Sequence, residues 1–195
     1  MPVKHPEEEK WNSITHAVGL GLFLVASCYC TSLVEKWYCL GISFTMLLSV
    51  LYHGVENARL KEVFRMLDMV SIHILIAVTS ICYLVSYGGN VLQCLLPAAS
   101  GLACALYVFR KYNTFSVQRG AVSLYILSGI LCLTSVAVVS GNAHYGSFCY
   151  FIVGIVVYLL GLVFYLRDHK KWYHTMWHLF VLFGGILHLV GLDTI

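Results

Sequence analysis

The sequence predicts an all-α membrane protein, a bundle of seven transmembrane helices with its amino end cytoplasmic and its carboxyl end outside. Three observations predict it. Hydrophobic residues make up 59% of the 195 residues, and Asp, Glu, Lys and Arg together only 11%, where a soluble domain carries roughly 25% charged residues. Apolar runs of about 20 residues recur along the whole length, each able to cross a hydrocarbon core of roughly 30 Å. The basic residues alternate between the two ends of these runs. Lys4 and Lys10 precede the first, Arg59, Lys61 and Arg65 follow the second, Arg110, Lys111 and Arg119 follow the fourth, and Arg167, Lys170 and Lys171 follow the sixth. Of the 12 Lys and Arg only Lys36 falls on the other side, and Lys and Arg accumulate in cytoplasmic loops. A six-span arrangement breaks this alternation.

The spans read in order as residues 14–34, 39–53, 66–87, 91–109, 120–140, 147–166 and 172–192, within one transmembrane domain covering 1–195. Asn12-Ser13 offers cap oxygens to the first, and Glu35-Lys36-Trp37-Tyr38 reads as a polar turn with two aromatic residues suited to the interface. The charged stretch from Gly54 to Arg65 reads as a loop. Gly88-Gly89-Asn90 is a tight turn, Arg110 to Arg119 the next loop, and Gly141 to Gly146 another turn. The amino-terminal segment has charges of both signs and lacks a small-residue cleavage site, so it is expected to be retained. Little lies outside the spans. A soluble catalytic domain and nucleic-acid binding are therefore excluded, and the formal charge of +3 serves topology. The eight cysteines fall almost entirely in apolar runs without a CxxC pair, and read as small apolar fillers between helices, not as a disulfide framework or thiolate metal site.

Polar residues inside the spans carry the functional signal, because ionisable groups there are expensive and mark sites. His174 and His178, four apart, lie about 40° from each other on a helix and roughly 6 Å along its axis, so one ion can see both. Ser49 and His53 share a face at the end of span two, and Asp68 opens span three with Ser71 one turn deeper. With the topology above, His53, Asp68, His174 and His178 reach similar depth on one side of the membrane. Three neutral imidazoles with an open position are a catalytic zinc arrangement. Asp68 then serves as general acid or base, and Ser49 orients water or stabilises an oxyanion. Bland readings stand beside these: HxxxH arises by chance on apolar helices, and a helix-start aspartate also suits the helix dipole or a pair with Arg65.

The remaining histidines separate from this group. His188 lies ten positions beyond His178, about 15 Å along the axis, and reads as a packed, hydrogen-bonded side chain. His73 is about 140° round the helix from Asp68. His16 is at the right depth to support a ligand or simply to be solvated at the interface. His5, His144 and His169 read as loop residues.

Asn12-Ser13-Ile14-Thr15-His16, Ser49-Val50-Leu51-Tyr52-His53, Leu67-Asp68 with Ile76-Ala77-Val78-Thr79, and His174-Thr175-Met176-Trp177-His178-Leu179-Phe180-Val181 with His188 together resemble the hemolysin III proteins. That is the mostly bacterial branch of the family containing the progestin and adiponectin receptors, and the resemblance covers essentially the whole chain in the same order. It implies a seven-helix bundle in the bacterial inner or plasma membrane, with Zn2+ held by His53, His174 and His178. Asp68 matches the aspartate that contacts the zinc-bound water, and Ser49 the serine one turn before the first ligand. The wider superfamily of the family it resembles includes alkaline ceramidases, which hydrolyse a membrane-lipid amide, while hemolysin III is named for red-cell lysis and described as pore-forming. The chain departs from the pattern at Met69, where histidine is common, at Val78-Thr79-Ser80-Ile81-Cys82 in place of Gly-Thr-Tyr-Thr-Pro, and at Ala17 in place of glycine.

These observations predict a zinc-dependent hydrolase acting on a lipid amide or ester, ceramidase-like, with membrane lipid as substrate or environment. A lytic pore or membrane-homeostasis protein with structural zinc is the alternative. A receptor-like sensor has little outer loop to work with, and haem ligation by membrane histidines predicts a coloured preparation.

Overall fold

The structure, a computed structural model, describes residues 6–111 and 117–194. It is all helical: α1 (Pro6–Tyr29), α2 (Leu33–Gly54), α3 (Ala58–Ser86), α4 (Val91–Lys111), α5 (Val117–Val139), α6 (Tyr145–Tyr165) and α7 (Tyr173–Asp193), with one 3-10 turn at Ser140–Asn142. Each of the seven is long and apolar enough to cross a membrane. Among the described residues there is no strand. Lys4, His5, Ile195 and residues 112–116, including the expected loop residues Tyr112 and Asn113, lie outside the described set.

Several boundaries differ from the sequence expectation, and local chemistry explains each. The first helix starts at Pro6, not near residue 14, because Glu7, Glu8 and Glu9 fill its first turn, where carboxylates favour the positive end of the helix dipole. Asn12 and Ser13 therefore lie inside α1 and do not cap it. The first connection is Cys30–Ser32, not Glu35–Tyr38. Ser32 caps α2 by accepting from the Glu35 amide at 3.1 Å, and Ser32-Leu33-Val34-Glu35 has the spacing of a capping box. Tyr38 consequently belongs to the core: it is fully buried and its hydroxyl donates to the Gly185 carbonyl at 2.9 Å.

The charged stretch after α2 is mostly helix as well. The Asn57 side-chain oxygen accepts from the Arg59 and Leu60 amides at 3.0 and 3.2 Å and starts α3 at Ala58. Asp68 is thus well inside α3 and does not open it, which removes the helix-dipole account of that residue. At the far end, Gly88 takes a positive φ of 78°, and Asn90 and Gln93 cap α4 reciprocally at 2.8 and 3.0 Å, as in a capping box.

α3 is the central helix, packed against α2, α4, α5 and α7. α1 lies against α2 and α7, and α6 packs on α7. Phe23, Tyr38, Ile42, Met46, Tyr83, Phe151, Trp177 and Val181 form the buried interior. One glycine sets the closest approach there: a Cβ at Gly185 would meet the Ile42 side chain at 2.2 Å, so α7 sits on α2 at a distance that only a missing side chain permits. Between α3, α5, α6 and α7 the packing leaves an apolar cavity of about 290 Å³, lined by Leu75, Tyr125, Ile130, Ile155 and Val181 among others. Trp177 forms part of its wall.

Candidate metal centre

The start of α1, the end of α2, the first half of α3 and the start of α7 meet at one end of the bundle. There His53, His174 and His178 each offer one ring nitrogen, and the three nitrogens lie within 4.8 Å of one another. Two of the three histidines are buried, and His174 is partly so. The rings crowd at centroid separations of 5.1, 4.8 and 4.7 Å.

Hydrogen bonds assign which nitrogen faces the centre. His53 Nδ1 lies 3.3 Å from a Glu9 carboxylate oxygen, and His178 Nδ1 lies 3.1 Å from the Asn12 carbonyl. Each Nδ1–H donates outward, so each Nε2 keeps a bare lone pair directed inward. His174 Nε2 approaches His53 Nε2 at 3.3 Å. Two ligands of a tetrahedral zinc at roughly 2.0–2.1 Å are separated by about 3.3–3.4 Å, so the converging pair has ligand spacing. The donor set fits a divalent metal of the zinc type: neutral imidazoles, buried, and oriented by a carboxylate or a carbonyl behind the ring.

α1 supplies that backing shell. Glu9 also receives Lys61 Nζ on its second oxygen at 2.5 Å, and Lys61 reaches the Tyr52 carbonyl at 3.2 Å. Asn12 accepts from the Thr175 hydroxyl at 2.6 Å through its side-chain oxygen. Thr15 Oγ1 lies 3.4 Å from His178 Nδ1, and the His16 ring stacks on His178 at 3.8 Å. Glu8, 2% exposed, accepts from the Trp172 amide at 2.6 Å. Trp172 precedes α7 with a left-handed φ of 67°, and Lys171 pairs with Glu7 at 2.9 Å.

The other sequence-predicted positions fall as follows. Ser49 is buried one turn before His53 and its hydroxyl faces the Asp68 carboxyl, though outside hydrogen-bonding geometry with any partner. Asp68 is also within the field of Arg65, and its own carbonyl accepts from Ser71 at 2.7 Å. His188 is buried away from the triad and its Nε2 donates to the Phe151 carbonyl at 3.1 Å. His73 is buried against Tyr125, with ring centroids 4.5 Å apart. His144, expected in a loop, precedes α6 at its N-cap position. Sequence reasoning passed over Glu9 and used Asn12 only as a cap. The signal was there once α1 is extended: Glu9, Asn12 and His16 fall at i, i+3 and i+7, one helical face.

The fold and the site define a multi-pass membrane protein with a candidate three-histidine metal centre at one end of a seven-helix bundle. The Haemolysin-III related family model matches residues 4–189, and the chain belongs to that family. It is similar to Hemolysin-3 of Bacillus cereus, 28% identical over 193 residues covering 93% of this chain and 88% of that protein. It is also similar to the Hemolysin-3 homolog of Bacillus subtilis (strain 168), 25% identical over 191 residues covering 92% and 90%. No solved structure matches the chain.

Proposed function

We propose that the protein is a zinc-dependent hydrolase acting on the amide or ester bond of a membrane lipid, with its site near the cytoplasmic face. The observation that carries this reading is the set of inward-facing imidazole nitrogens on α2 and α7, with the Ser49–Asp68 pair on the neighbouring turns of α2 and α3. When bound, zinc supplies Lewis acidity, polarising a carbonyl and lowering the pKa of water. The chain's own residues do the rest. His53, His174 and His178 hold the ion, and Glu9 and Asn12 fix the rings of His53 and His178. The Asp68 carboxylate takes the proton of the attacking water and returns it to the leaving nitrogen or oxygen as the acyl bond breaks. The Ser49 hydroxyl, buried beside the Asp68 carboxyl, donates to the developing oxyanion or to the water. The apolar cavity behind Trp177 supports a lipid substrate, since such cavities favour apolar chains. The excess of Lys and Arg at this end of the bundle supports a cytoplasmic placement.

Metal content of the purified protein, measured for wild type and for His53→Ala and His174→Ala, tests the first half. Near-stoichiometric zinc in the wild type and little in the variants is expected, and full metal in both variants defeats the reading. Hydrolysis of a lipid panel by wild type and Asp68→Asn tests the second half, with activity lost and metal retained in the variant. Unchanged activity removes Asp68 from the chemistry.

A second reading rests on the names of the relatives: a lytic or pore-forming protein in which the metal is structural. Zinc-sensitive conductance in reconstituted bilayers without hydrolysis favours it.

A further inference from the structure

At the end of the bundle opposite the histidine triad, the linker between α1 and α2 holds Cys30, and the second turn of α2 holds Cys39. Their sulfurs lie 3.9 Å apart. Among the described residues this is the one contact recorded between two cysteine sulfurs, and all eight cysteines carry free thiols. Cys39 is fully buried, whereas Cys30 is partly open. Cys30 sits in the non-helical segment Cys30–Ser32, so its backbone is not held by a helical ladder on both sides. A disulfide needs a sulfur separation of about 2.05 Å, and the linker can supply that closing movement without unwinding α2. Glu35, itself buried, lies beside both sulfurs.

We propose that Cys30 and Cys39 form a dithiol–disulfide pair that staples the first helical hairpin on the face away from the metal centre. The chemistry is thiol–disulfide exchange with a disulfide donor, a low-molecular-weight or protein disulfide. The Cys30 thiolate, being the reachable sulfur, attacks one donor sulfur and expels the other as a thiol, leaving a mixed disulfide. The Cys39 thiolate then attacks Cys30 Sγ and expels the second donor thiol. One donor disulfide is reduced to two thiols, and the two cysteine thiols lose two protons and two electrons to become one bond. Burial pushes the Cys30 thiol above its ordinary value, so the first attack is slow, on the scale of minutes to hours. The opposite end of the bundle holds the Lys and Arg residues other than Lys36, so the pair faces the non-cytoplasmic side by the topology proposed above, where disulfides persist.

The test uses the purified full-length protein, fully reduced, then incubated with oxidised glutathione, denatured in excess maleimide and mapped by mass spectrometry. The expected wild-type product carries six maleimide adducts in place of eight and an intramolecular Cys30–Cys39 bond. In Cys39→Ser the exchange stops half-way, and glutathione stays on Cys30. Eight adducts in the wild type, or glutathione that persists on wild-type Cys30 unresolved, overturns the proposal. Because the wild-type readout stands alone, a variant that fails to fold does not protect it. Zinc content and lipid hydrolysis do not enter this readout, so its outcome is separate from that of the metal centre.

Discussion

Replacing Glu9 perturbs the metal centre without touching a ligand. One Glu9 oxygen accepts from His53 Nδ1–H at 3.3 Å and the other binds Lys61, with the Glu9 side chain 19% exposed. Water replaces such a half-enclosed carboxylate poorly, so the imidazole loses both orientation and basicity. Removing the partner behind a ligating histidine lowers metal affinity by about 10–100-fold, or about 1.4–2.7 kcal/mol. Glu9→Gln keeps an acceptor and loses the charge, and belongs near tenfold. Glu9→Ala loses both, and belongs near the upper end. Competition for zinc against a chromogenic chelator, at fixed pH in detergent, measures this. Lys61→Met is the control, since it removes the ion pair while leaving the acceptor on His53, and its effect is expected to be smaller than that of Glu9→Ala. Zinc affinity in Glu9→Ala equal to wild type refutes the assignment of Glu9 as the residue that orients His53.

Three further outcomes follow from the packing and the site. Gly154→Ala drives a Cβ to within 2.3 Å of the His188 ring, and overpacking of this kind destabilises by about 1–3 kcal/mol, visible as a lower thermal midpoint at unchanged zinc content. Tyr38→Phe removes the buried hydrogen bond to the Gly185 carbonyl, which keeps its place in the α7 ladder, a loss of about 0.5–1.5 kcal/mol, also read as a thermal midpoint. With zinc bound at the proposed site, stripping it with a chelator is expected to lower that midpoint in the wild type, since a ligand at hundredfold its dissociation constant contributes about 2.7 kcal/mol. The same treatment leaves His174→Ala unmoved.

The spans, the alternation of basic loops and the trio of histidines were legible because each rests on a short-range regularity. Apolar runs have a length, loops have a charge, and His174 and His178 have helical spacing. What sequence misplaced depends on partners far along the chain. Residues 6–13 are too polar to read as part of an apolar run; their acids favour a helix start, and Glu8 on Trp172 with Asn12 on Thr175 and His178 fixes that helix in place. Tyr38 near a helix end suits either the interface or the core, and the choice is made by the glycine at position 185, whose missing side chain lets α7 close on α2. The charged run before Asp68 reads as a loop and so sets Asp68 at the start of a span, although Asn57 already caps a helix there. The approach of Cys30 to Cys39 escapes the sequence for the same reason as Tyr38, since a turn at Glu35–Tyr38 puts the two cysteines on different sides of it.

The three consecutive acids at the start of α1 each answer a different residue: Glu7 meets Lys171, Glu8 the amide of Trp172, and Glu9 His53 with Lys61. In biosynthesis the first helix enters the membrane while the seventh is still untranslated. The carboxylates of Glu7 and Glu8 must then wait, solvated at the membrane surface, until the segment leading into α7 arrives, while Glu9 meets His53 and Lys61 once α2 and α3 are in place. A metal ion loaded into this bundle therefore reports that insertion has run through to its last helix, and a fusion or tag placed directly against Pro6 interferes with that closing step before it interferes with any ligand.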